Sequence, residues 1–536
     1  MADTGKKPIK INPVEKVKAE KDGLDVIGHL EEYVEAGWEN VEKSDIQVRL
    51  KWIGIFFRPV THNKFMLRLR VSGGLMTAPQ VRAMADVIQR YGDDGSGDIT
   101  TRQNLQLRGI RFEDFPAIFK TMDEVGLTSM QSGMDNVRNL TTSPVVGIDP
   151  DELIDTRELV QKTQDAITDY GKGNRKYSNL PRKFNIAYEG GRDNSIHAEI
   201  NDLAFVPAYR EGVLGFNVHV GGYLSAQRAQ EALDMGVWVP PNDEAVDLCE
   251  AILTVYTENG LEEGLRTARP KARLFWLMEK WGMELFRERI EAELGRSLLS
   301  AAPGNEICQE KKDHLGVHPQ KQEGMNYIGL HVPSGRFNAE NMHALADLAE
   351  AYGNGEIRLT VEQNVIIPFI PDDRIEALMQ EPLLQTFKTE PATLERSIVS
   401  CTGASYCNFA IIETKMRALE IARELDAKYH IPERVRMHWT GCPNSCGQAQ
   451  AGDIGLMGTK TKKDGKSVDA VKLFLGGQVG KDAKLGELVQ KGVPCEDLPE
   501  VLGGILEETF GATLKSQGGE TVTPETQEPV AEAVSV

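Results

Sequence analysis

The chain has 536 residues, 40% hydrophobic and 26% charged, with 61 Lys plus Arg against 80 Asp plus Glu and a formal charge of −19. That balance over that length describes about three to four units of folded core and excludes a disordered chain or a small disulfide-stapled scaffold. A pI near 5.2 argues against nucleic acid or an anionic membrane as a bulk partner, and no run of about 18 apolar residues offers membrane insertion.

The N-terminus MADTGKKPIKINPVEK lacks the apolar stretch of a signal peptide, and the 7 cysteines are odd in number. The expectation is a cytoplasmic chain in a reducing compartment. Residues 1–45 alternate Lys with Glu, end in the helix-like HLEEYVEAGWEN, and read as an arm over the core. FMLRLRVSGGLMTAPQ follows as an apolar strand, a Gly turn and a helix start, continuing into the helix PQVRAMADVIQRY. Strands are predicted at TRQNLQLR, LPRKFNIAYEG, INDLAF and FNVHVGG. EAVDLCEAILTVY is a helix whose Cys249 faces the core. In the second half, YIGLHVPSGRFNAEN repeats the strand, turn and helix start, ETKMRALEIARELDAKY is a helix, and KLFLGG a strand. Residues 516–536 carry four Glu, no Lys or Arg and no periodicity, the pattern of a disordered tail.

The two halves resemble each other. MADVIQRYGDDGSGDITTRQN (84–104) matches LADLAEAYGNGEIRLTVEQN (345–364) with one gap. LPRKFNIAYEG, INDLAF and FNVHVGG answer MHWTGCPNSCG, AGDIGLM and LFLGG, so that Asp202 answers Asp453 and Gly221-Gly222 answer Gly476-Gly477. Two repeat pairs in the same order point to duplication and a pseudo-twofold α+β molecule. The copies differ chemically. Arg102 is replaced by Glu362, and LPRKFN is read as standing where GCPNSC does. One half would hold a metal group and the other bind anions, with one site between them.

Cys401 and Cys407 (C-x5-C) and Cys442 and Cys446 (C-x3-C) fall within 46 positions of a chain otherwise poor in cysteine. Four thiolates on two Gly- and Pro-rich loops suit one soft metal centre. Structural zinc knuckles prefer C-x2-C to C-x4-C, so an iron–sulfur cluster fits better than zinc. Cys308 and Cys495 have no partner spacing.

CTGASYC, MHWTGCPNSCGQAQAGDIGLMG, GGLMTAPQ, TTRQNLQLRG, SGMDNVRN, NLPRKFN and HPQKQEG together resemble the ferredoxin-dependent assimilatory nitrite reductases, within the wider nitrite/sulfite reductase family. The likeness runs from about residue 45 to 515. It implies a duplicated fold: arm 1–45, ferredoxin-like half-domain 46–128, sirohaem and substrate domain 129–300, second half-domain 301–390, sirohaem/[4Fe-4S] domain 391–515, and tail 516–536. It also implies sirohaem and a [4Fe-4S] cluster as cofactors, with Cys401, Cys407, Cys442 and Cys446 on the cluster and Cys446 bridging to the sirohaem iron. Reduced ferredoxin is the implied donor and nitrite the substrate. The chain has no dinucleotide fingerprint or flavin module of its own. A monomer is expected.

The resemblance assigns Arg68, Arg138, Lys183 and Asn185 to the substrate side. An inward-pointing Arg in a strand wants an anion to meet, and alternation puts Lys183 and Asn185 on one face with Phe184 on the other. Arg102, Arg108, Arg182 and Lys321 are the candidates for the eight sirohaem carboxylates, Arg102 and Arg108 being read as one face of a strand. The competing substrate is sulfite. Sulfite reductases of the family typically carry Lys-x-Lys where this chain has Lys183-x-Asn185, and the neutral Asn suits singly charged nitrite. A third reading, a silent cluster or zinc module, is disfavoured because Arg68, Arg138 and Lys183 are all present. The Lys-rich loop TKTKKDGK (459–466) is a candidate docking patch for an acidic ferredoxin.

Overall fold

The computed structural model describes residues 10–92, 95–225 and 228–515; the tail expected over 516–536 lies outside them. Two five-stranded sheets form the first layer. One runs Ile55–Phe57, Phe65–Arg68, Leu105–Ile110, Ser96–Ile99 and then Arg336–Asn338; the other runs Gly316–Pro319, Met325–Leu330, Val365–Pro371, Glu356–Leu359 and then Leu75–Thr77. The last strand of each comes from the opposite copy. Arg336–Asn338 pairs antiparallel with Ser96–Asp98, and Leu75–Thr77 with Glu356–Arg358. Each copy thereby closes the other's open sheet edge. The helices that follow the exchanged strands, Ala78–Tyr91 and Ala339–Tyr352, bury Val81, Met84, Ile88, Met342, Leu345 and Ala349 in one shared core. Their starts are fixed by caps. Thr77 and Gln80 form a reciprocal capping box with Pro79 in the first turn, and the Asn338 side chain accepts from Asn341 N at 2.8 Å.

The second layer also comes twice. A six-stranded sheet contains Val137–Thr142, Phe184–Tyr188, Leu203–Arg210 and Val213–Val220, and a five-stranded one contains Ile398–Ser400, Met437–Thr440, Ile454–Lys463 and Lys466–Leu475. In both, three parallel strands are followed by an antiparallel one. Asp202 accepts from Asn185 N at 2.8 Å and Asp453 from Arg436 N at 2.7 Å, so the expected equivalence of the two aspartates holds.

These bonds correct one expectation. They register LPRKFN with residues 431–436, IPERVR, and not with the cysteine loop. The counterpart of GCPNSCGQ is residues 190–197, GGRDNSIH. Left-handed backbone at Asn194 and His197 (φ 47° and 55°) recurs at Ser445 and Gln448 (φ 50° and 59°). Cys442 and Cys446 therefore replace Gly191 and Ser195. Two Pro-containing, polar loops look alike in sequence at either register, whereas hydrogen bonds from a strand to a buried carboxylate fix one.

The described part of the N-terminal segment packs on the first copy. In the helix Pro13–Glu20, capped by Asn12, Lys18 Nζ donates to Leu180 O at 2.9 Å and reaches Asp135 Oδ2 at 3.3 Å. Cys249 is fully buried in the helix Asp243–Glu258. Among the described residues no helix is long and apolar enough to cross a membrane.

Candidate active site and cofactor pocket

Between the halves lies a cavity of two adjoining lobes, a larger one of about 530 Å³ (the outer lobe) and a smaller one of about 130 Å³ (the inner lobe), which share Arg68, Arg138, Lys183, Cys401 and Cys446 among their walls. The outer lobe is lined by eight cations, Lys51, Arg58, Arg68, Arg108, Arg138, Arg182, Lys183 and Arg269, and by no carboxylate. Gathering so much like charge out of water is unfavourable unless a polyanion fills the space.

Backbone geometry places each cation. Arg68 ends the strand Phe65–Arg68, lies over the Phe56 ring at 4.5 Å and donates to Ser132 O at 3.3 Å. Arg138, second in Val137–Thr142, donates from Nε to Met134 O at 3.1 Å. Lys183 and Asn185 flank Phe184; both line the inner lobe while Phe184 enters the apolar core, as alternation predicts. In the orientation that satisfies the network, Asn185 Oδ1 accepts from Arg102 Nη2 at 3.0 Å and Arg273 Nη2 at 3.1 Å. Burial, reinforced by neighbouring cations, pulls Arg68 down to about 9, Arg102 and Arg182 to about 10 and Lys51 to about 8. The same two causes hold Arg138 and Lys183 well below their ordinary ranges.

Three carboxylates fasten the frame from behind. Asp202 takes Arg273 Nε at 2.9 Å, Asp135 takes both terminal nitrogens of Arg269 at 2.8 and 2.7 Å, and Asp98 holds Arg108 and Arg336.

Arg102 and Arg108 do not share a face. Gln103 adopts left-handed backbone (φ 53°), which breaks the alternation, so Arg102 sits in the turn before Leu105–Ile110 and lines only the inner lobe. Arg108 lines the outer lobe, with Nε and Nη2 on Asp98 Oδ2 at 2.9 and 2.7 Å and Nη2 also on Thr402 Oγ1 beside the first cysteine. Arg182 lines the outer lobe near Asp135 (3.8 Å), whereas Lys321 is half-exposed, pairs with Glu152 at 2.8 Å and belongs to neither lobe. Lys51, Arg58, Arg269, Arg273 and Lys415 also line the site, unanticipated. Only ARPKAR (268–273) gave a visible signal, two arginines one helical turn apart beside an apolar run.

All four predicted cysteines are free thiols on the outer lobe, and Cys401 and Cys446 border the inner lobe too. Cys401 N donates to Trp439 O at 3.0 Å, Gly441 N to Cys401 Sγ at 3.1 Å, and Cys407 N to Gly403 O at 3.1 Å. A Cβ on Gly447 would stand 1.9 Å from Trp439 O, so only glycine lets the second loop fold down on the first. Burial and the neighbouring thiols push Cys442 up to about 12, so a thiolate there requires a cationic centre beside it. Among the described residues no three His, Cys, Asp or Glu side chains close on a point that one ion could occupy. The thiols instead surround a lobe wide enough for a polynuclear centre, and with the cationic lining the donor set fits a cluster together with a polycarboxylate group.

A duplicated α+β scaffold whose second copy alone supplies four thiols to an interfacial cationic pocket defines a redox protein of the iron–sulfur class. The chain belongs to the nitrite and sulphite reductase family. Residues 133–298 and 392–511 match the nitrite and sulphite reductase 4Fe-4S domain, and residues 59–125 and 318–384 the nitrite/sulfite reductase ferredoxin-like half domain. The ferredoxin--nitrite reductase of Leptolyngbya laminosa is 56% identical over 94% of this chain and 98% of its own. The chloroplastic ferredoxin--nitrite reductase of Spinacia oleracea is 45% identical over 95% and 87%. The structure of the Mycobacterium tuberculosis NirA protein superposes with a TM-score of 0.85 at 29% identity, covering 96% of this chain and 95% of that one.

Proposed function

We propose that the chain reduces nitrite to ammonium with electrons from reduced ferredoxin, using sirohaem and a [4Fe-4S] cluster held in the two-lobed cavity. The observation that carries the reading is the outer lobe itself, four thiols and eight cations without a carboxylate, opening into a smaller basic chamber. Relatives at 45–56% identity named ferredoxin--nitrite reductase support the substrate and the donor.

Cys401, Cys407, Cys442 and Cys446 would ligate the cluster, and Cys446, which with Cys401 lines both lobes and which the family resemblance singles out, would be the thiolate shared with the haem. Arg102, Arg108 and Arg182, with Lys51, Arg58 and Arg269, would meet the sirohaem carboxylates. Bound together, the two cofactors would supply electrons, stored one at a time, to an anion held in the inner lobe.

Nitrite consumes six electrons and eight protons on its way to ammonium and two waters. The protein's share is to hold the anion and pass protons. Arg68 and Arg138 converge on the inner lobe and neutralise charge on the substrate oxygens. Lys183, whose ammonium burial and the nearby Arg273 and Arg138 make readily deprotonated, donates to a departing oxygen. Asn185 is neutral and already occupied by Arg102 and Arg273, so the chamber carries one charge fewer than a Lys-x-Lys site and suits a monoanion.

Electrons would come through the Cys407 side, where Phe409 is 60% exposed. In the TKTKKDGK hairpin, Lys460 is paired with Asp469 and Lys463 with Glu496 and Asp497. We take the active form to be a cytoplasmic monomer. The test is the absorption spectrum of the purified holoenzyme followed by turnover. A Soret band with a red-region band, and a nitrite kcat/KM well above that for sulfite with reduced ferredoxin, is the expected result; a colourless protein, or equal specificity constants, overturns it.

A further inference from the structure

Six arginines among the described residues are less than 10% exposed, and five of them have a carboxylate within 4 Å: Arg49 has Asp45, Arg108 has Asp98, Arg266 has Glu15, Arg273 has Asp202 and Arg358 has Glu356. Arg70, 3% exposed, has none. Its Nε donates to Gln164 Oε1 at 2.7 Å and its Nη1 to Val137 O at 2.6 Å, while its Nη2 is buried without a partner. Two residues on, Ser72 Oγ is also buried and unpartnered. Both residues line a cavity of about 410 Å³ that is separate from the cofactor pocket.

Leaving a guanidinium N–H and a hydroxyl buried and unpaired forfeits their hydration with nothing in return. An unpartnered guanidinium nitrogen and an unpartnered hydroxyl from two residues on the wall of one cavity are donors of the kind that bind an oxyanion. Gln161 and Lys172 also line the cavity, together with Asp123 and Asp165, whose charges discourage a large polyanion and leave room for a small one.

We propose that this cavity is a second anion site, in which Arg70 and Ser72 hold the oxyanion group of a small phosphate or carboxylate ligand. It lies close behind the substrate side of the molecule. Arg70 follows Arg68 by two residues, and the carbonyl it holds belongs to Val137, next to Arg138. An occupant would therefore bear on the two strands that carry the inner-lobe arginines.

The test is calorimetric titration of the holoenzyme with inorganic phosphate and, separately, with succinate, on the wild type, Arg70→Gln and Lys183→Gln. Saturable binding by wild type and Lys183→Gln, weakened at least tenfold in Arg70→Gln, is the expected result, and the tighter of the two probes assigns the ligand class. Binding lost in Lys183→Gln but kept in Arg70→Gln would place the anion in the cofactor pocket and overturn the proposal. So would the absence of saturable binding of either probe. If Arg70→Gln yields no folded holoenzyme, Ser72→Ala decides: at least threefold weakening upholds the site, and unchanged affinity removes it.

Discussion

Replacing Asn185 by Lys tests the argument that the inner chamber is charge-matched to nitrite. Asn185 Oδ1 is 3.0 and 3.1 Å from the terminal nitrogens of Arg102 and Arg273. A lysine there removes that acceptor and brings a third cation to within about 4 Å of two guanidinium groups, each contact costing roughly 4 kcal/mol at an effective dielectric of 20. If anion and solvent screening remove half of that, about 4 kcal/mol remains, which lowers the new lysine from roughly 10.4 to about 7 or 8. The ammonium then persists chiefly when a dianion compensates it, so the gain falls on sulfite. The ratio of kcat/KM for sulfite to that for nitrite should rise ten- to a hundredfold, more at pH 7.5 than at pH 9, where the lysine is neutral. Asn185→Gln keeps the acceptor and should change the ratio less than twofold. The assay is ferredoxin-driven turnover on variants whose absorption shows full cofactor loading. An unchanged ratio in the loaded Lys variant would refute the claim that this position discriminates between the anions.

Asp98→Asn strands Arg108 and Arg336 in the interior and should lower stability by about 3–5 kcal/mol, read as a fall in the urea midpoint. Asp98 and Asp135 are both held far below the usual carboxylate range against the opposing penalty of burial, Asp98 by Arg108, Lys415 and Arg336, and Asp135 by Lys18, Arg269 and Arg182. Their stabilisation is complete above the unfolded carboxylate value of about 3.9 and is lost as pH falls below it. Denaturation midpoints should therefore drop steeply below about pH 4, with a shallower slope in Asp135→Asn. Gly447→Ala forces the second cysteine loop off Trp439 O and should leave a chain deficient in iron by elemental assay. Cys446→Ser should keep a folded chain but change haem absorption and abolish nitrite turnover; an active variant with an unaltered spectrum would contradict the bridging role.

The repeat and the cysteine loops were legible because both are local. Spacing between thiols, and a strand–Gly–helix order written twice, survive in a linear reading. The strand exchange was not, since the alternation of Arg336–Asn338 is the same whichever sheet the strand joins. The largest gap concerns counter-charges. Arg68, Arg70 and Arg108 look alike in sequence, each among apolar neighbours in a strand pattern. Only tertiary pairing makes Arg108 a clamped support beside the cysteines, Arg68 a cation of the pocket wall, and Arg70 a buried charge without a carboxylate. Counter-charges also explain why one site survives out of two. At the pseudo-equivalent place Arg102 has become Glu362, which meets Lys311 at 2.6 Å, and Cys446 has Ser195 as its counterpart, whose carbonyl accepts from that same lysine. The first copy's loop thus has neither thiols for a cluster nor unneutralised cations for a polyanion. A pocket of this kind exists where cations outnumber the carboxylates beside them, since of the eight outer-lobe cations Arg108, Arg182 and Arg269 have a carboxylate within 4 Å and the rest do not, and no motif records the carboxylates that are missing.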